Sequence, residues 1–270
     1  MIHSTAIIHP DAQLGADVTV GPFAIVEGAA RIGNRCTIQA HAVVTAHVTM
    51  GDDNLIGYGA IIGGDPQDLA FRPAVRSEVR IGSGNKIREY ATIHRGTSEG
   101  SATIVGDHCF LMAGAHLAHN VEIADHVILA NNVLLAGYVQ VGERVFLGGG
   151  CVVHQHMRIG RLAICQGGSA FSKNVPPYAM GTGLNIVAGL NVIGLRRAGF
   201  TAVQRAEIKE AFDLLYRSGL NVTQALAAAA DRVWAEEGRA FWDFVAGAKK
   251  RGIISLLAKR GGLDEQQAVE

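Results

Sequence analysis

The chain has 270 residues, room for one large domain or two smaller ones. Lys plus Arg and Asp plus Glu balance at 24 each, a neutrality that argues against general nucleic-acid binding, which needs a basic surface. No apolar run is long enough to span a membrane, and the first residues, MIHSTAIIHPDAQ, lack the charged and apolar regions of a secretory signal, so a cytoplasmic protein is expected.

A six-residue rhythm begins at once: Ile2, Ile8, Leu14, Val20, Val26, Ile32, Ile38, Val44, Met50, Ile56 and Ile62 are all apolar. Six matches neither the 3.6 of a helix nor the 2 of a lone strand. It matches a chain wound as a three-sided prism, with a short strand on each face and a turn at each corner. Aromatics at 6 % and 34 glycines suit such a core, packed by aliphatics with glycine at the corners. The phase breaks over Gly63–Glu78, which is polar and carries two prolines; the rhythm resumes at Val75 or Ile81, then Ile87 and Ile93. A second interruption lies between Arg95 and Thr103, where Glu99 stands at an apolar position. Long loops on a rigid repeat scaffold commonly carry function, so the first loop, and after it the second, is expected to contact substrate.

From Val105 the rhythm runs unbroken through Leu111, Leu117, Ile123, Leu129, Leu135, Val141, Leu147, Val153, Ile159, Cys165 and Phe171, with Gly or Ala often next in line. It ends at Asn174–Pro177, and a Gly-rich linker is expected over Gly181–Asn185. Beyond it the period becomes helical. Thr201 can N-cap a helix that presents Ala206, Ile208, Ala211, Leu214 and Leu215 and stops at Gly219. A second helix is expected from Thr223 to near Gly238 and a third from Arg239 to Lys250, with a polar tail expected to fray after Gly261. The fold expected is a left-handed parallel β-helix of hexapeptide repeats over 1–185, with loops near 63–78 and 95–103, and a small C-terminal helical domain over 186–270 that caps the prism. Cys36, Cys109, Cys151 and Cys165 all fall inside the repeats without a CxxC pair, so buried reduced thiols are expected.

Three repeats make one coil, so residues 18 apart stack. His119, Gly137 and Gln155 therefore form one column, with His116, Tyr138 and His154 beside it. An imidazole next to a bare backbone N–H suits acyl transfer: the first takes a proton from an attacking hydroxyl or amine, the second holds the oxyanion. Eleven histidines make some clustering expected by chance, and most are assigned to the surface or to a trimer interface. His116, His119 and His154 could nominally hold zinc, but no diagnostic ligand spacing is present and no metal is expected.

The stretches IREYATIHRGT (Ile87–Thr97), HLAHNVEIADHVILANNVLLAGY (His116–Tyr138), VVHQ (Val152–Gln155), VPPY (Val175–Tyr178) and GLNVIGLRRAGF (Gly189–Phe200), with PQDL (Pro66–Leu69), resemble the UDP-N-acetylglucosamine acyltransferase family of lipid A biosynthesis over nearly the whole chain. The resemblance implies a homotrimer with sites between neighbouring prisms. It implies transfer of an acyl group, usually 3-hydroxylated, from acyl carrier protein to the 3-position of a UDP-GlcNAc-type nucleotide sugar. No cofactor is bound; the acyl-phosphopantetheine arrives on the carrier. On matching positions His119 is the general base and Gly137 the oxyanion donor. Gln67 and Asp68 contact the sugar; His116, Tyr138, His154 and Gln155 line the sugar and thioester path; Asn191 and Arg197 reach phosphates or nucleotide. Arg196, Arg197, Lys249, Lys250 and Arg251 are candidates for receiving an acidic carrier protein.

The chain departs from the family pattern at Ala70, usually Lys; at Tyr138, usually His; at Ile193, usually acidic; at Ala198, usually Arg; and at Asn120, often Asp, which removes a carboxylate that would orient His119. Acyl or acetyl transfer to another nucleotide sugar, and a non-catalytic trimeric binding paralogue, are the alternatives these departures leave open.

Overall fold

The computed structural model describes residues 1–248 and 250–256; Lys249 and the tail after Gly261 lie outside them. The chain winds as a left-handed β-helix whose three flat faces are, among the described residues, sheets of nine, eight and eleven short strands. Their pairing is parallel throughout, except where Ala179–Thr182 runs antiparallel to Ile186–Leu190. Most strands are only two residues long, because each carries one inward and one outward side chain before the corner. The inward columns are sealed: Val20, Ile38, Ile56, Ile87, Leu111, Leu129, Leu147 and Cys165 are all at or below 1 % exposure. A second column of small buried residues stands two positions before each aliphatic, as in Ala24, Ala42, Ala60, Ala91, Ala115, Val133 and Cys151. All four cysteines are free and buried, as expected.

The corners are built differently from the glycine turns expected. The left-handed residue is the third after each inward aliphatic and is mostly not glycine: Asn120, Tyr138 and His156 occupy it on three successive coils at φ +60, +60 and +66. Such a φ costs a side-chain-bearing residue on the order of 1–2 kcal/mol. Ring stacking between coils offsets part of that cost, as with Tyr138 on His156 at 4.8 Å and His108 on His126 at 5.3 Å. The glycines just after the aliphatics serve close packing instead: a Cβ on Gly142 would fall 2.5 Å from the Arg161 backbone nitrogen of the next coil.

Corner geometry also leaves the backbone N–H of the second corner residue outside the ladder, pointing along the prism. On one edge the next coil meets it with a polar oxygen: Asn34 N–H donates to Asp52 Oδ1 at 2.8 Å, Ser83 N–H to Asp107 Oδ1 at 2.6 Å and Asp107 N–H to Asp125 Oδ1 at 2.8 Å.

The two loops are where the 18-residue spacing fails. Ile61 pairs with Thr92 and Thr92 with His116, steps of 31 and 24 residues. The rhythm resumes in the strand Glu78–Ile81, so Ile81 and not Val75 carries it. The loops brace one another: Ser77 Oγ donates to Gly96 O at 2.6 Å, Gly100 N–H to Arg76 O at 2.8 Å, and Arg76 N–H to Glu99 Oε2 at 3.0 Å.

At the C-terminal end, Gly181 and Thr182 close one strand of an antiparallel hairpin and Gly183, Leu184 and Asn185 form its turn, so the stretch is not a linker. Among the described residues four helices follow: α1 Val192–Arg197, α2 Ala202–Tyr216, α3 Val222–Ala230 and α4 Glu236–Gly247. The short α1 was not expected. Thr201 caps α2 in a capping box with Gln204, as expected. The cap of α3 is Asn221, with Gln224, two residues before the expected Thr223. That helix ends at Ala230, and Gly238 lies inside α4, where a Cβ would meet Trp234 Cε3 at 2.6 Å; the glycine serves helix packing, not helix termination. Phe212 and Ile254 join the core of the prism. Among the described residues no helix is long and apolar enough to cross a membrane.

Candidate active site

Between His116 and Phe171 the 18-residue spacing holds without interruption, so His119, Gly137 and Gln155 stack at one edge of the prism. They line a cleft of about 570 Å³ with Gln67, His116 and His154. The rest of its wall is mostly apolar: Leu134, Val152, Ala170 and Leu184 line it on the outer face, with the buried Phe171 behind them.

The imidazole of His119 lies against the bare Cα of Gly137; a Cβ there would fall 2.6 Å from His119 Nε2. Gly137 is the second residue of its corner, so its N–H belongs to the class that elsewhere holds a carboxylate oxygen. Among the described residues nothing accepts it, because the opposing position is the flexible amide of Gln155 and not an aspartate. Gln155 Nε2 instead lies 3.3 Å from His156 Nε2.

His119 Nδ1 is 3.1 Å from Asn120 Oδ1. The orienting carboxylate is absent, as the sequence implied, but an amide oxygen occupies the same position. The Tyr138 ring meets His119 edge-on at 5.3 Å, and its hydroxyl lies 3.0 Å from Thr97 Oγ1. His116 Nδ1 contacts Thr92 Oγ1 at 2.7 Å, and its ring meets His94 edge-on at 4.9 Å. Burial, with His116 and His119 as neighbours, pushes His94 down to about 4; burial also lowers His116. These two imidazoles are therefore neutral near neutral pH and do not repel positive charge forming on His119. Among the described residues no group of three or more His, Cys, Asp or Glu is arranged to hold a metal ion.

Gln67 reaches the cleft from the first loop, whereas Asp68 lies outside its wall and accepts the Ala70 N–H at 2.9 Å. Asn191 and Arg197 are not brought to the cleft. They line a separate cavity of about 970 Å³ on another face, with His108, His126 and Arg144. Asn191 is engaged there: its Oδ1 accepts Gly194 N–H at 2.9 Å, capping α1, and its Nδ2 donates to Leu162 O at 2.9 Å. Thr97 borders the His119 side of the cleft through Asn120 and Tyr138, and Arg95 holds the loop that carries Gln67; neither was singled out, and the only signal was their place in the IHRGT stretch, since the loop hides their spacing to His119.

The chain is similar to known proteins over nearly its whole length. A family model described as Udp N-acetylglucosamine O-acyltransferase; Domain 2 matches residues 174–254, and one described as bacterial transferase hexapeptide (six repeats) matches 102–137. The chain is 40 % identical over 261 residues to a protein of Syntrophobacter fumaroxidans named acyl-(acyl-carrier-protein)–UDP-N-acetylglucosamine O-acyltransferase, covering 94 % of this chain and 99 % of that one. A protein of the same name from Paraburkholderia phymatum is 42 % identical over 260 residues, covering 94 % and 98 %. The solved UDP-N-acetylglucosamine acyltransferase of Francisella novicida superposes with a TM-score of 0.89 at 32 % identity, over 98 % of this chain and 99 % of that one. That of Bacteroides fragilis gives 0.89 at 37 %, over 94 % and 100 %.

Proposed function

Since the chain belongs to the UDP-N-acetylglucosamine O-acyltransferase family, we propose that His119 and Gly137 carry out its acyl transfer from acyl carrier protein to the sugar 3-hydroxyl of UDP-N-acetylglucosamine. His119 Nε2 takes the proton of the 3-hydroxyl as that oxygen attacks the thioester carbonyl. The carbonyl oxygen becomes an oxyanion and accepts the Gly137 N–H. The intermediate collapses, the carbon–sulfur bond breaks, and the carrier thiolate takes the proton back from His119. Base and oxyanion donor each contribute on the order of a hundredfold or more.

The observation that supports this most is the Gly137 N–H. The same corner N–H elsewhere in the prism holds a carboxylate oxygen at 2.6–2.8 Å, so the backbone is already shaped to receive an anionic oxygen. Here that N–H belongs to a residue whose Cα lies against an imidazole. The apolar wall of Leu134, Val152, Ala170 and Leu184 suits an acyl chain, and Gln67, His116, His154 and Gln155 suit the sugar and the thioester arm. A homotrimer is part of the proposal: it would set the Asn191 and Arg197 cavity of one prism against the cleft of the next.

A transfer assay tests it, with a panel of 3-hydroxyacyl carrier proteins and with UDP-N-acetylglucosamine and its 3-amino analogue side by side. His119→Ala should remove product while leaving the oligomer intact. Product that survives in that variant would refute the roles assigned.

A further inference from the structure

Asn120 is the left-handed residue of its corner and is buried, with 9 % exposure. Its own N–H donates to Thr103 Oγ1 at 2.8 Å, which fixes the backbone. Its side-chain Oδ1 has three neighbours: Thr97 N at 3.1 Å, Thr97 Oγ1 at 3.0 Å and His119 Nδ1 at 3.1 Å. A backbone N–H can only donate. The amide end facing Thr97 N must therefore be the oxygen, because the flipped amide would set N–H against N–H.

The rest follows by elimination. An oxygen facing His119 Nδ1 requires that nitrogen to carry the proton, which leaves the lone pair on Nε2. The single hydroxyl proton of Thr97 goes to Asn120 Oδ1, so at the 3.0 Å contact it is Tyr138 O–H that donates to Thr97 Oγ1. We propose that Thr97 is a positioning residue for the base: its backbone N–H and hydroxyl lock the Asn120 amide, and the amide holds His119 in the one tautomer whose Nε2 can accept a proton beside Gly137. Tyr138 is the outer donor of the relay and not primarily a substrate contact.

The relay is neutral from end to end. The titratable groups around His119 are His94, His116, His154, His156 and Tyr138, with Lys250 and Arg251 beyond His156. Among the described residues the one histidine–carboxylate pair is His9 with Asp11, far along the chain. An asparagine at such a position ordinarily risks the wrong tautomer, because its NH2 can present itself to the imidazole. A relay of this kind that loses its acid without correction can fall by about four orders of magnitude in rate. Thr97 removes that risk by making the flipped amide unfavourable.

The inference rests on His119 being the base, but its first test does not. A long-range proton–nitrogen spectrum of 15N-labelled full-length protein, with His119 assigned from its loss in His119→Gln, reports the tautomer of the resting protein. Nδ1 protonated and Nε2 bare is the expected result; Nε2 protonated overturns the inference. A correct tautomer in a protein without turnover would refute the proposed function and leave the relay standing.

Substitutions at two positions extend the test. Asn120→Gly keeps the left-handed corner, removes the amide, and should mix the tautomers and lower kcat about a hundredfold with little change in KM. Asn120→Asp keeps the acceptor. It should hold the tautomer and move the acidic limb of the kcat/KM profile up by about one pH unit, because a carboxylate favours the imidazolium. Thr97→Ser should retain activity where Thr97→Val loses it. Equal losses in Asn120→Asp and Asn120→Gly, or in Thr97→Ser and Thr97→Val, would sink the proposal, and the wild-type spectrum stands even if the glycine variant fails to fold.

Discussion

The guanidinium of Arg95, 1 % exposed, holds the carboxylate of Asp65 at 2.8 Å across 30 residues of chain. The same fork donates to Val75 O at 2.6 Å, Pro73 O at 2.9 Å and Ser77 Oγ at 3.3 Å, and it lies 4.8 Å from the Phe71 ring centre. One buried side chain thus ties down both ends of the first loop, with Gln67 suspended between them. Arg95→Lys keeps the charge and loses the fork. It should cost about 1–3 kcal/mol through unpaired carbonyls. The loosened loop should raise KM for the sugar nucleotide about tenfold, equivalent to about 1.4 kcal/mol, with kcat less affected. Thermal denaturation beside steady-state kinetics checks this; a lowered Tm with unchanged KM would remove the loop from acceptor binding.

Gly137 should tolerate no side chain, for a reason other than backbone strain. Its φ lies outside the left-handed region, so Gly137→Ala should fold and assemble normally. Its Cβ would fall where the His119 ring now lies, so the imidazole must swing away from the N–H that it adjoins. The expected result is a loss of about a hundredfold in kcat at near-normal Tm. Wild-type turnover in this variant would show that base and N–H need not be adjacent.

The buried histidines give stability a pH dependence of defined sign. His94 is lowered to about 4 against 6.5 for a free imidazole, and His116 is lowered too, both led by burial. Between those values the unfolded chain binds the proton that folded His94 refuses. Stability is therefore whole above 6.5 and is lost as pH falls towards 4. The lowered carboxylates of Asp52, Asp53 and Glu89 add losses of their own at acid pH, so the comparison with a variant is what isolates the histidine. His94→Phe, which keeps an aromatic shape and removes a buried Nδ1 that has no hydrogen-bond partner among the described residues, should show a flatter decline of Tm from about pH 7 to about pH 4. Parallel curves for the two proteins would refute it.

How much of this could be read from sequence depends on whether spacing survives. His119, Gly137 and Gln155 were legible as a column because no residue is inserted between His116 and Phe171. Thr97 was not, because Thr92 pairs with His116 across 24 residues in place of 18. Arg95 looked like one member of a polar run, since nothing local tells a buried fork from an exposed charge. The aliphatic rhythm identified the prism, but the left-handed corners fell on Asn120, Tyr138 and His156, where stacking between coils replaces the expected glycine. Gly238 resembled a helix stop because packing against Trp234 has no sequence signature. Asn191 and Arg197 were assigned to substrate phosphates or the nucleotide through a resemblance that also implied sites between neighbouring prisms, and within one chain they line a cavity apart from the cleft.

That separation makes the last pair of residues separable by experiment. Asn191 caps α1 and bonds Leu162 O, so its side chain is committed to the fold. Arg197 is exposed at the end of the same helix, and no hydrogen bond or ion pair joins it to another side chain among the described residues. Asn191→Ala should lower stability by about 1 kcal/mol through the lost cap. Arg197→Ala should leave Tm unchanged and, if its face meets the cleft of a neighbouring prism, raise KM for the nucleotide sugar about tenfold through one lost charge-assisted contact. Mixing Arg197→Ala subunits with His119→Ala subunits decides whether the two faces work together. A site built within one prism would regain nothing beyond the sum of its parts. A site shared between prisms would yield some interfaces in which both residues are intact, and activity would rise above either variant alone.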